Sequence, residues 1–159
     1  MIHLFVEKPM VTTFDQHEKL STFLKKNPTA PFCVDYNRSF APFIQKIKWE
    51  LVNRKTPVMI RYRMNSGYIP GSHWVQTDMG AGRLIGEACH IFDLFCFLTG
   101  SQLASVSAEA IKPLSDDIFP TDNFSVQISF SDGSVCSLMY TALGNKKVPK
   151  EYILASIAY

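Results

Sequence analysis

The chain has 159 residues, with 16 Lys and Arg against 14 Asp and Glu and a hydrophobic fraction of 47%. That length and composition fit one soluble domain with a real core, and a formal charge of +2 spread along the chain excludes a basic stripe for nucleic acid or an anionic membrane. No apolar run reaches the roughly 20 residues a membrane helix needs, and the start M-I-H-L-F-V-E-K-P lacks the layout of a signal peptide, so the expected compartment is the cytoplasm.

The short apolar run at residues 2–6 predicts a strand, followed at once by Glu7-Lys8-Pro9. Thr12 and Thr13 open a helix whose apolar positions Phe14, Leu20, Phe23 and Leu24 keep helical spacing until Asn27-Pro28 closes it. Residues 32–36 predict a second strand. Ser39 or Asn37 then caps a helix over residues 42–53, with Phe43, Ile44, Ile47, Leu51 and Val52 on one face and Lys46, Lys48 and Glu50 mostly outward. Alternation over residues 58–64 marks a half-buried strand.

Residues 65–82 hold four glycines and a proline with little periodicity, the pattern of a long loop that shapes a pocket. A helix is expected to begin in G-A-G-R-L-I-G-E-A-C-H-I-F-D and to run to Gly100, a stop residue suited to a left-handed backbone. Three strands should follow, at residues 104–111, 123–130 and 134–142, with Ser131-Asp132-Gly133 as a tight hairpin turn between the last two. A further strand run begins at Tyr152 and continues to Tyr159. Helix-bearing units first and a run of strands afterwards argue for an α+β fold, a predominantly antiparallel open sheet with helices packed on one face.

The helix of residues 80–99 carries the clearest chemical signal. At about 100° per residue, Glu87, His90 and Asp93 fall within roughly a 120° arc that also contains Gly86, while the other faces are apolar. A lone histidine there reads as a hydrogen-bonded core residue; two acids on the same stripe turn the reading toward a site. Two other readings are set aside. Gly80, Gly82 and Gly86 spell G-x-G-x-x-x-G, close to a dinucleotide fingerprint, but S-H-W-V-Q-T-D is a poor preceding strand. A hydrolase using Cys89 or Ser72 with His90 lacks a nucleophile elbow. Cys33, Cys89, Cys96 and Cys136 form no C-x-x-C pair and read as reduced core thiols, and no metal site is expected.

Three motifs in order, V-E-K-P, D-Y-N-R-S-F-A-P and G-A-G-R-L-I-G-E-A-C-H-I-F-D-L, resemble the glucose-fructose oxidoreductase, inositol dehydrogenase and rhizopine catabolism family, Gfo/Idh/MocA, over nearly the whole chain. The G-E-x-C-H form resembles members encoded with bacterial surface-sugar biosynthesis. The resemblance implies a glyceraldehyde-3-phosphate-dehydrogenase-like C-terminal domain over residues 31–159, cut short at its C-terminus. Residues 1–30 would then be a remnant of a dinucleotide-binding domain whose late strand ends in E-K-P. It implies hydride transfer between a sugar, sugar-nucleotide or cyclitol hydroxyl and NAD or NADP in a full-length parent, with no tight cofactor binding by this chain alone.

Residue by residue, the resemblance makes Lys8, His90 and Asp93 catalytic, with Lys8 at the reacting hydroxyl, His90 as proton acceptor and Asp93 orienting it. Glu7, Lys8 and Pro9 would meet the cofactor, and Tyr36, Asn37, Arg38 and Glu87 the substrate, Arg38 binding a sugar carboxylate or hydroxyls. Many members carry Asp or Asn where Gly86 stands, so Glu87 either substitutes for that acid or only caps the helix. A homo-oligomer is expected through the free sheet face, supplied with apolar residues by the three late strands. The alternative is a non-catalytic sugar-binding or oligomerisation module derived from the same family.

Overall fold

A computed structural model describes residues 3–156, so residue 2 and residues 157–159 of the two expected terminal strands lie outside the described part. The N-terminal unit is β1 (Leu4–Val6), α1 (Phe14–Lys26) and β2 (Phe32–Val34), with β1 and β2 paired in parallel. Thr13 caps α1: its hydroxyl accepts from the Gln16 amide, and the Gln16 side chain answers with a bond to the Thr13 amide. This unit has almost no interior. Leu4, Phe5, Phe14 and Phe23 are all more than half exposed, because a single βαβ unit with two short strands has nothing to pack its apolar faces against.

The larger unit comprises α2 (Pro42–Val52), β3 (Met59–Asn65), α3 (Gly82–Gly86), α4 (Cys89–Thr99), β4 (Leu103–Ala110), β5 (Asn123–Phe130), β6 (Val135–Thr141) and β7 (Glu151–Ser156). Its five strands lie in the order β4-β5-β6-β3-β7, antiparallel except for the β3–β6 pair. The expected α+β sheet is therefore present, with one parallel pair inside it. The β5–β6 hairpin turns as its sequence requires: Gly133 has φ +87°, and the Phe130 amide donates to the Ser134 carbonyl.

Period-two alternation sends Ile60, Tyr62 and Met64 of β3, Phe124, Val126 and Ile128 of β5, and Cys136, Leu138 and Tyr140 of β6 to one face. There they pack against Ile44 and Leu51 of α2 and Ile91, Leu94, Phe95 and Leu98 of α4. Gly100 ends α4 at φ +64° as predicted, and Lys48, expected to point outward, instead donates to the Phe97 carbonyl at 2.7 Å and caps that terminus. Neither Ser39 nor Asn37 caps α2. Residues 37–40 form their own 3-10 turn, Ala41 precedes α2 without a side-chain bond, and Pro42 takes the first helical position.

The opposite sheet face corrects the expected apolar surface. Residues 123–130 and 134–142 turn their large apolar side chains toward the helices, leaving Arg61, Ser125, Gln127, Ser129 and Ser137 on the open face with only scattered Met59, Met139, Tyr152 and Leu154. The reduced thiols also divide. Cys136 is buried, but Cys33 and Cys96 are exposed, since two-residue and 100° steps place them on outward positions of β2 and α4.

Candidate active site

The expected continuous helix over residues 80–99 is broken, and the break builds the site. Gly80 approaches the 74–75 backbone so closely that a Cβ would lie 2.4 Å from the Val75 Cα; a Cβ on Gly86 would lie 2.9 Å from the Gly80 carbonyl oxygen. Ala81 and Gly82 both adopt left-handed backbone at φ 56° and 67°, so α3 starts only at Gly82 and lasts five residues. The amides of Glu87 and Ala88 both donate to the Arg83 carbonyl, and the His90 amide donates to Glu87 rather than to Gly86. The Gly86 carbonyl is thereby released from the helical ladder. Lys8 takes it, its ammonium donating to that oxygen at 2.8 Å across 78 residues of sequence.

A side chain at Gly86 would force the Gly80 carbonyl to move, so close backbone packing selects glycine at this position. Gly86→Ala is expected to lower stability by about 1–3 kcal/mol through overpacking, read as a reduced urea midpoint. An unchanged midpoint would show that the contact relaxes freely.

Glu87 sits in the break with its carboxylate accepting from the Tyr140 hydroxyl, rather than on a shared helical stripe with His90 and Asp93. His90 opens α4 and is 8% exposed; its Nδ1 is buried without a hydrogen-bond partner among the described residues. The Tyr36 ring meets the imidazole edge-on, centroids 6.0 Å apart. Burial holds the imidazole below its ordinary pKa, helped by the positive charges of Arg38 and Lys8 and opposed by Asp35 and Glu87. Five residues from three segments of the chain thus converge on one ring. A buried imidazole that keeps a free ring nitrogen and is biased to the neutral form can accept a proton near pH 7.

Not every expected residue joins this group. Asp93 lies one turn further along α4, beside Tyr36, Cys89 and Cys96; no hydrogen bond links it to His90, and burial raises its carboxyl. The expected orientation of His90 by Asp93 is therefore not made in this geometry. Glu7 and Asn37 are exposed with no side-chain bond among the described residues. Arg38 is present but committed: its Nη1 donates to the Tyr62 hydroxyl at 2.9 Å and to Glu151 at 2.5 Å. Asp35, whose charge acts on the imidazole, was not singled out from the sequence, although it opens the D-Y-N-R segment that was. Tyr62 and Glu151 carried no such signal, because only the β3–β7 pairing brings them to Arg38.

Lys8 and Pro9, the latter after a cis peptide bond, stand beside an apolar cleft of about 430 Å³ lined by Met10, Val11, Tyr36, Leu84, Ile85 and Phe92. The Gly80-Gly82-Gly86 spacing serves close packing before a five-residue helix rather than a phosphate cradle.

A model of the GFO/IDH/MocA C-terminal domain matches residues 56–153. The chain belongs to the Gfo/Idh/MocA family. Its fold is that of a putative oxidoreductase from Thermotoga maritima, 20% identical with a TM-score of 0.71, the match covering 98% of this chain and 50% of that one. It is also similar to GenD2 from gentamicin A biosynthesis, solved in complex with NAD, at 20% identity, TM-score 0.71, and 96% and 44% coverage. The myo-inositol dehydrogenase from Lactobacillus casei, solved with NAD(H) and myo-inositol, matches at 15% identity, TM-score 0.68, and 88% and 41% coverage. The chain spans half or less of each of those structures. No curated protein sequence matches it. No helix among the described residues is long and apolar enough to cross a membrane.

Proposed function

We propose that this chain forms the substrate-binding and proton-transfer part of an NAD(P)-dependent dehydrogenase acting on a sugar or cyclitol hydroxyl. The observation that carries the reading is the convergence of Lys8, Asp35, Tyr36, Arg38 and Glu87 on the buried imidazole of His90, whose Nδ1 has no hydrogen-bond partner among the described residues. NAD(P), when bound against Lys8 and Pro9, supplies the acceptor for the hydride. The chain's own groups do the rest. Lys8, fixed by the Gly86 carbonyl, has two further N–H donors for the reacting hydroxyl and stabilises alkoxide character as it develops. His90 receives the hydroxyl proton, which its depressed pKa makes it ready to do at neutral pH. Asp93 stays in a desolvated position near Tyr36, where its charge acts on that hydroxyl.

The exposed apolar faces of β1 and α1 support the same reading, since a parallel sheet extended by further βα units would cover Leu4, Phe5, Phe14 and Phe23. The reading includes self-association through the open sheet face, where Met59, Met139, Tyr152 and Leu154 supply apolar surface between the arginines. Light scattering would return a monomer mass at every concentration if that part were wrong.

The test of the main reading begins with the reading frame upstream of Met1. A strand followed by G-x-G-x-x-G there, and reduction of NAD or NADP by the encoded protein with a panel of sugars and cyclitols, is the expected result. A protein with an intact dinucleotide domain that binds cyclitols without turnover would instead establish the non-catalytic sugar-binding module.

A further inference from the structure

We propose that Glu151 makes the substrate site selective for an uncharged polyhydroxyl group over a carboxylate-bearing one, by holding Arg38 and offsetting its charge. The inference rests on the dehydrogenase reading and narrows its substrate class.

An unpaired guanidinium beside the proton-accepting imidazole would be a natural fork for a sugar carboxylate. Here the fork is occupied. Arg38 Nη1 donates to Glu151 Oε2 at 2.5 Å and to the Tyr62 hydroxyl at 2.9 Å, and Tyr62 closes the triangle by donating to the same Glu151 oxygen at 2.6 Å. The Arg38 and Glu151 side chains are 24% and 36% exposed, so the pair is shielded without being sealed. Burial would raise the Glu151 carboxyl, but the bonds from Arg38 and Tyr62 outweigh it and keep the group ionised at neutral pH.

An incoming carboxylate would therefore meet a positive charge already balanced, with Glu151 at hydrogen-bonding distance of the same guanidinium and Asp35 and Glu87 acting on the neighbouring imidazole. Two like charges at that range repel. A hydroxyl group faces the opposite situation, because it can accept from Arg38 or Lys8 and donate to a carboxylate. The cleft beside the triangle, about 450 Å³ and walled by Phe43, Ile44 and Tyr152, has room for a ring that bears several such groups.

Dissociation constants for myo-inositol and D-glucuronate, measured by NMR titration of the chain at low salt and pH 7.5, test this directly. The wild-type chain should bind inositol at least tenfold more tightly than glucuronate. Glu151→Gln should shrink that ratio at least tenfold, chiefly by tightening glucuronate, whereas Tyr62→Phe should weaken both ligands and leave the ratio in place. Arg38→Gln, which leaves Glu151 uncompensated, should widen the ratio and serves as the decisive variant if Glu151→Gln does not fold. Equal binding of the two ligands by the wild type, or a ratio unmoved by the charge-changing variants, overturns the role of Glu151 alone. Binding of neither ligand overturns the dehydrogenase reading together with it.

Discussion

Replacing His90 by glutamine is expected to lower kcat/KM for alcohol oxidation by about 10²–10⁴-fold, the usual contribution of a positioned general base. Four charged side chains act on the imidazole, and its Nδ1 has no hydrogen-bond partner among the described residues to lose. Its depressed pKa sets the pH profile. The neutral base persists below the ordinary value of about 6.5, so the wild-type rate should stay level through neutrality and fall only in the acid limb beneath it. Lys8→Met removes a positive charge that depresses that pKa, so its acid limb should move to higher pH while kcat also falls. The same shift bears on stability. A folded-state pKa below the unfolded one favours the fold above about 6.5, and that contribution disappears as pH falls through the folded value. Rates in His90→Gln within threefold of the wild type would remove the residue from the mechanism.

Arg83→Met is expected to destabilise the chain by about 3–5 kcal/mol, the cost of leaving a buried charge without its partner. Arg83 is 5% exposed and Asp122 2% exposed, their Nε and Oδ2 atoms 3.8 Å apart, and Asp122 also accepts from the Gln76 amide at 2.7 Å. Arg83 further donates to the Ser66 hydroxyl and to the Gly67 carbonyl at 2.6 Å. One guanidinium therefore ties the start of the 65–82 loop to α3 and, through Asp122, Gln76 as well, and α3 sets the break that aims the Gly86 carbonyl at Lys8. A loss of that size would lower Tm by roughly 10 °C in a domain of this length. Adding Asp122→Asn should recover part of it, because the stranded carboxylate is then neutral. A loss below 1 kcal/mol in the single variant would show that water already satisfies the pair.

Much of the frame was legible in the sequence. The capped start of α1, the Pro42 start of α2, the Gly100 stop and the Ser131-Asp132-Gly133 turn depend on neighbours within a few residues, and each appears where it was expected. The same holds for the alternation of β3. The free sheet face was misjudged because apolar content was read from the late strands without assigning alternate residues to opposite faces. The break in the helix carrying His90 was missed because Gly86 was placed on one continuous helical stripe with Glu87, His90 and Asp93, whereas Gly80 and Gly86 mark backbone contacts with the 74–75 turn and with each other.

The sequence by itself determined the family resemblance, the α+β order of elements and the residue types available for chemistry: a lysine after the first strand, a Y-N-R segment, a histidine among apolar neighbours. Tertiary structure alone decided how they combine. Lys8 is held near His90 by the Gly86 carbonyl at the end of α3, free only because the helix breaks, and Arg38 answers to Glu151 across 113 residues of sequence. Local propensity reports on contacts a few residues apart, whereas the charge that a site presents to its ligand depends on which distant strands the sheet register brings to its edge.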